Sequence, residues 1–222
     1  MAYRHTDAVA RKLAARREAI LLAANEIAAT GGMAALQIAP VAERAGVATG
    51  TVYRYFASKT ELVAALTSFL AEREVAALVR AALAAPGPLS GLATAMCTLA
   101  ARALTTPRLI RSFTSEPVEP EVEVARSAFR ASLAAAFEKL ITAALRSGYL
   151  PPQDPRLAAA ALIGALVEGL IGPLAPSAGD DGPIGRRERI QDLVLLALRA
   201  LGVPDARARG LVVQAVQGVI LA

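Results

Sequence analysis

Glycine and proline cut this chain into runs whose apolar residues recur at helical spacing, which limits it to helices joined by turns. Over 10–29 the positions Leu13, Ile20, Leu21, Ala24, Ile27 and Ala28 keep that spacing, and Gly31-Gly32 is a natural stop. A short helix is expected over 38–45, ended by Gly46, and another over 49–56. Ser58 then caps a fourth, with Glu61 three residues on to complete a capping box. Beyond the Pro86-Gly87-Pro88 break the pattern predicts helices over 89–104, 107–113, 121–147, 155–171, 186–201 and 204–220, with a Gly- and Asp-rich loop over 177–185. Apolar residues make up 55% of the chain and aromatics only 4%, so these helices pack through Ala and Leu, and the expected fold class is all-α.

Several function classes drop out on composition. The long uncharged stretch 81–101 is broken by its prolines and falls short of the roughly 20 apolar residues a membrane span needs. The N-terminus, with Arg4, Asp7, Arg11 and Lys12, has no apolar block of a signal peptide, so a cytoplasmic protein with no membrane partner is expected. Cys97 is the only cysteine and His5 the only histidine, which rules out a disulfide framework and the usual zinc ligand sets within one chain. Cys97 reads as a small buried residue and His5 as part of a solvated tail. Neither a Ser-His-Asp set nor a phosphate loop is visible, so no cofactor and no enzymatic activity are expected.

Charge is unevenly placed. The net +5 of 222 residues divides into +4 over residues 1–60, eight basic side chains against four acidic ones, and +1 over the rest. A basic N-terminal module on a nearly neutral body suits a chain whose first part alone meets a polyanion. The expected domains are 1–60 and 61–222, with the helix that begins at Ser58 bridging them.

The informative stretch is 41–62. Gly46 accepts the positive φ that a tight interhelical turn needs, and Val47 anchors that turn in the core. In the helix that follows, Val52 and Phe56 are four apart and point inward, leaving Gly50, Thr51 and Arg54 opposite and Tyr53 and Tyr55 on the flanks. A major groove accepts such a face: close backbone approach at Gly50, hydroxyl contacts from Thr49 and Thr51, a bidentate donor for guanine in Arg54. Tyr53 and Tyr55 are read as contacts to the DNA backbone rather than packing, and Lys59, beside free N–H groups at a helix start, as a phosphate contact. Arg4, Arg11 and Lys12 are read as a solvated tail in preference to a minor-groove arm.

At these residues the sequence resembles the TetR family of regulators, through the Gly46-Val47 turn, Gly50, the aromatic set Tyr53 to Phe56 and the Ser58-Lys59 step. Gln37 stands where that family usually places Thr or Ser to cap the second helix, and Ala48 where Ser is common. The resemblance implies an N-terminal three-helix head that binds operator DNA, and C-terminal helices that dimerise and enclose a ligand pocket.

In that larger part Met96, Phe113, Phe129 and Leu133 are apolar at helical spacing, as are Phe137, Leu162 and Leu166. Core packing is the plain reading of each, and the resemblance makes them candidates to line a pocket for a small apolar effector. Glu168, set in the apolar run 157–171, is read either as a ligand-orienting or interface carboxylate or as simply exposed. Ala165, Gly169, Leu193, Ala197 and Leu201 suit close packing with a partner's helices in a homodimer. The leading expectation is a ligand-responsive repressor; an activator, a regulator without an effector, and a helical enzyme with a DNA-targeting head are the alternatives.

Overall fold

The computed structural model describes residues 2–106, 110, 118–172, 175 and 182–220. Among them all regular structure is helical, in nine α-helices and one 3-10 turn: α1 (Ala2–Gly31), the 3-10 turn (Met33–Ala35), α2 (Ile38–Arg44), α3 (Thr49–Tyr55), α4 (Lys59–Ala84), α5 (Pro88–Thr105), α6 (Pro120–Arg146), α7 (Pro155–Leu170), α8 (Gly182–Ala200) and α9 (Asp205–Ile220). The helix expected over 107–113, Phe113 included, lies outside the described residues apart from Ile110, as do residues 177–181 of the expected loop.

Two expectations are corrected. The loose tail at Arg4 and His5 is the first turn of α1, because no glycine or proline precedes Gly31 and Ala and Arg carry a helix without help from packing. Residues 7–19 of that helix are all exposed, so this length is held mainly by propensity. Residues 182–185, expected in the loop, are the start of α8: Gly182 takes φ 56 and Pro183 follows in the first turn, where its missing N–H removes no helical bond.

The apolar faces meet in two cores. The first gathers Ile20, Leu21 and Ala24 of α1, Val41 of α2, Val52 of α3 and Leu62 and Leu66 of α4, with Val122 from the start of α6. The second holds Leu78 of α4, Leu92 and Met96 of α5, Phe137 of α6, Leu166 of α7, Val194 of α8 and Val212 of α9. Helix α4 therefore serves both. It is held to α5 by close approach, since a Cβ on Gly91 would lie 2.9 Å from the Ala82 carbonyl oxygen, and by a two-pronged ion pair in which Arg102 Nε and Nη2 each donate to Glu74 at 2.6 Å. Among the described residues no helix is long and apolar enough to cross a membrane.

Cys97 sits fully buried in the second core, and that burial pushes its thiol up to about 12. The thiolate is the reactive species, so the native protein is expected to resist an aromatic disulfide reagent at about pH 8 and to release one equivalent of thiol only on unfolding. Rapid labelling of the folded chain is the contrary result.

Candidate nucleic-acid interface

Helices α2 and α3 are joined by a turn that the sequence dictates. Gly46 has φ 64, its N–H donates to the Glu43 carbonyl at 3.1 Å, and the Val47 N–H reaches the Ala42 carbonyl at 2.9 Å, so the last carbonyls of α2 are satisfied by the turn itself. Gln37 stands at the N-cap of α2 and Ala48 at that of α3, and neither makes a side-chain cap bond. Both short helices are held by packing instead.

On α3 the inward pair Val52 and Phe56 is buried, and each such side chain contributes about 1.5–3 kcal/mol of hydrophobic stabilisation. Thr49, Gly50 and Arg54 are exposed, and Tyr53 is 52% exposed although it is a large apolar ring. Thr51 and Tyr55 are half-buried, and Tyr55 packs against the first core; as a flank residue of a helix under two turns long, its ring reaches the inner side that Val52 and Phe56 do not fill. Gly50 is informative for what surrounds it: a Cβ built there meets nothing within 4 Å, and its backbone is ordinary helix. Neither packing nor backbone strain inside the chain calls for glycine at that place, whereas an external surface approaching the backbone would.

The start of α4 lies alongside. Ser58 Oγ accepts from the Glu61 N–H at 3.0 Å, and Glu61 Oε2 accepts from the Ala57 N–H at 2.6 Å, one residue earlier than in the expected box. The Lys59 and Thr60 N–H groups remain in the first turn to be satisfied from outside, with the Lys59 ammonium beside them. Two further cations border the module that spacing alone did not single out for this role. Arg17 of α1 lies over the Phe56 ring at 5.2 Å, and Arg44 is tied to Glu26 at 2.8 Å by an exposed pair of about 1 kcal/mol or less.

The body holds an apolar cavity of about 50 Å³ between α5, α6 and α7. Of the residues expected to line a pocket, Phe129, Leu133 and Leu166 are on its wall. Met96, Phe137 and Leu162 are not: they are buried in solid core, because a helix of this bundle turns more than one side to its neighbours. Glu168 is exposed, so no buried carboxylate needs explaining there. The wall also carries charge, in Glu74, Arg126 and Arg130.

The interface candidates separate in the same way. Ala165 is exposed and free to meet a partner. Gly169 faces Leu193 of its own chain, where an added Cβ would come within 2.9 Å of Leu193 Cδ1, and Ala197 and Leu201 are buried in the second core. The uncovered face of α7 instead shows Leu157, 70% exposed, then Ala161, Gly164 and Ala165, and α8 beside it shows Ile184 and Leu196.

Residues 20–66 match the family model described as bacterial regulatory proteins, tetR family. Over 73 residues the chain is 49% identical to the HTH-type transcriptional repressor KstR of Mycolicibacterium smegmatis, a stretch covering 33% of this chain and 36% of that protein. A 48-residue stretch is 54% identical to KstR of Mycobacterium tuberculosis, covering 22% of each. The chain thus matches about a third or less of the length of these curated relatives. Among solved structures, RolR in complex with resorcinol aligns at TM-score 0.66 and 24% identity over 91% of this chain and 95% of that one. A TetR/AcrR-family transcriptional regulator from Thermobifida fusca aligns at TM-score 0.64 and 20% identity, over 82% and 96%. At such identities these likenesses bear on the fold, and they extend it beyond the matched N-terminal segment.

Three substitutions test the face. Gly50→Ala is expected to leave the melting temperature unchanged or slightly raised, since alanine is favoured over glycine in a helix by about 0.5–1 kcal/mol, while operator affinity falls roughly tenfold, about 1.4 kcal/mol. Arg54→Ala is expected to lose about 1–3 kcal/mol of discrimination between operator and unrelated DNA. Lys59→Ala is expected to weaken all sequences alike and to lower the salt slope of binding by about one unit. Fluorescence anisotropy titrations at several salt concentrations measure all three, and unchanged curves would place the DNA face elsewhere.

Proposed function

We propose that the protein is a ligand-responsive transcriptional repressor that binds a pseudo-palindromic operator as a homodimer: residues 20–66 match the family model of tetR-type bacterial regulatory proteins, and the chain has the fold of a solved TetR/AcrR-family regulator. The observation that carries the reading is the division of α3: Val52 and Phe56 fill the head core, and the opposite side offers Gly50 with open space above it, next to Arg54 and a half-exposed Tyr53. The repressor names of the KstR relatives support the sign of regulation.

Two heads are needed because one short helix reads only a few base pairs. A twofold dimer sets two such helices one helical turn of DNA apart, in successive major grooves. The partner contact is assigned to the uncovered faces of α7 and α8, around Leu157, Ala161, Gly164 and Leu196, where apolar side chains would otherwise stand in water. The effector is assigned to the cavity between α5, α6 and α7. An occupant can change operator affinity only by the difference in its affinity for the two dimer states, and a coupling of about 1–3 kcal/mol corresponds to a 5- to 150-fold loss.

Selection of bound sequences from random DNA tests the reading first: an inverted repeat is expected, and recovery of no enriched sequence overturns it. Gly164→Arg then tests the dimer. A Cβ at Gly164 meets nothing within 4 Å in the chain itself, so the monomer fold tolerates the change, while a bulky cation at the partner contact is expected to shift sedimentation to the monomer and reduce operator affinity. Dimers that persist would move the interface off α7.

A further inference from the structure

The positive charge of the DNA-binding module lies mostly outside its packed core. Through residue 19 the chain carries Arg4, Arg11, Lys12, Arg16 and Arg17 against Asp7 and Glu18, five cations to two acids and a net +3. Over 20–60 it carries Arg44, Arg54 and Lys59 against Glu26 and Glu43, three to two and a net +1. The whole first group falls on α1, which is exposed over 7–19 and enters the head core only at Ile20. Lys12 and Arg16 stand one turn apart on one side, a like-charge spacing that weakens a helix. No carboxylate among the described residues pairs with either of them or with Arg11. The core-facing stripe of α1 also runs on uncovered, Val9 and Leu13 being about half-exposed in line with Ile20 and Ala24. At about 1.5 Å per residue this stretch is a rod about 20 Å long, the length of about six base-pair steps of duplex.

Arg17 fixes where the rod leaves the module, because its guanidinium lies 5.2 Å from the centre of the Phe56 ring. Phe56 closes α3 and Ser58 caps α4, so α1 departs beside the exit of the reading helix, close to the start of α4 and Lys59. We propose that residues 7–19 of α1 lie along the DNA backbone flanking each half-site, with Arg11, Lys12 and Arg16 on phosphates; the inference rests on the DNA-binding reading of the module and lengthens its footprint. Charge selects this occupant. A second copy's rod would bring +3 against +3, whereas duplex DNA carries one negative charge per about 1.7 Å of axis. A lipid surface would find only Val9 and Leu13 to bury in this stretch, less apolar area than an interfacial helix offers. Small side chains at Ala8, Ala10, Ala14 and Ala15 separate the cations, so nothing bulky holds the rod away from a backbone. Ala, Arg and Lys are strong helix formers, and a rod already formed loses less freedom on contact than a disordered arm that must first be ordered. Phosphate contacts carry no base information, so the added affinity is independent of the flanking sequence.

The probes are two duplexes of equal length that carry the same selected operator, one with phosphates throughout and one with uncharged methylphosphonate linkages in both flanks. The full-length protein is titrated with each at several salt concentrations. The wild-type protein is expected to bind the all-phosphate duplex roughly tenfold or more tightly at low salt, with a salt slope steeper by about three units per dimer. Combining Arg11→Gln, Lys12→Gln and Arg16→Gln is expected to remove that preference, while the melting temperature and the affinity for the methylphosphonate duplex are kept. Ala14→Pro, which kinks the rod without changing its charge, is expected to lose most of the same preference. Equal wild-type affinity and slope for the two duplexes overturns the flanking contact and leaves operator reading by α3 intact, and this comparison does not depend on how the variants fold. A preference that survives undiminished in the glutamine variant overturns it too. So does binding to phosphatidylglycerol vesicles that the glutamine changes abolish while the DNA titrations stay as they were. Absence of any operator-specific binding overturns both the DNA-binding reading and the contact.

Discussion

Everything this chain can do depends on one helix being buried at both ends. Leu62 and Leu66 place the beginning of α4 in the core of the DNA-binding module, and Leu78 and Ala82 place its last turns in the core of the body. Its start is fixed by the Ser58 cap, and its middle by the Glu74–Arg102 pair. A packed core does not deform continuously, so a helix shared by two cores cannot move at one end without changing the fit at the other. The head is not an appendage on a tether. Its apolar seal includes the first turns of the helix that leads away from it.

Glycines show how much of the DNA-binding module is legible in sequence. Gly46 is required by the backbone, at φ 64 in the turn, and any reading of two short helices in succession finds it. Gly50 is different in kind, since neither its φ nor its neighbours demand it, and in the sequence it looks like an ordinary helix-weakening residue unless the outward face of α3 has already been worked out. The inward pair Val52 and Phe56 does that work, because a strict spacing of four identifies the buried side and leaves its opposite for something else. Tyr55 shows the limit of the method. On a helix of seven residues a flank position can belong to either side, and here it turned to the core.

The body was legible as helices and not as surfaces. Ala197 and Leu201 have the small or branched side chains of a helix contact, and they make one, but with their own chain. Periodicity reports that a side chain is covered and says nothing about whether the cover is the same molecule or a partner. Of the uncovered face of α7 only Ala165 stood out, for the matching reason: Leu157, Ala161 and Gly164 look like core in a sequence where most residues are apolar. Met96, Phe137 and Leu162 failed as cavity markers because a void a few ångströms wide is set by the relative tilt of three helices, which no single helix records. Arg126 is the informative exception. A cation in register with buried Val122 and Leu133 breaks the apolar pattern of α6, and that break was available in the sequence.

The positions of these residues along α6 bring the binding module and the cavity into one physical system. Val122, Arg126, Phe129 and Leu133 succeed one another at three- and four-residue intervals, so they share a side of the helix, the first in the head core and the rest on the cavity wall. The body therefore reaches the head by two routes, α4 and the first turn of α6, and Arg126 lies on the second. An occupant of that cavity acts on the head only so far as the cavity fits it better in one arrangement of these helices than in another. On the cavity wall Glu74 belongs to α4 and Phe129 to α6, two helices that also carry head-core residues, so a change of fit at the wall is passed to Leu66 and Val122 by packing.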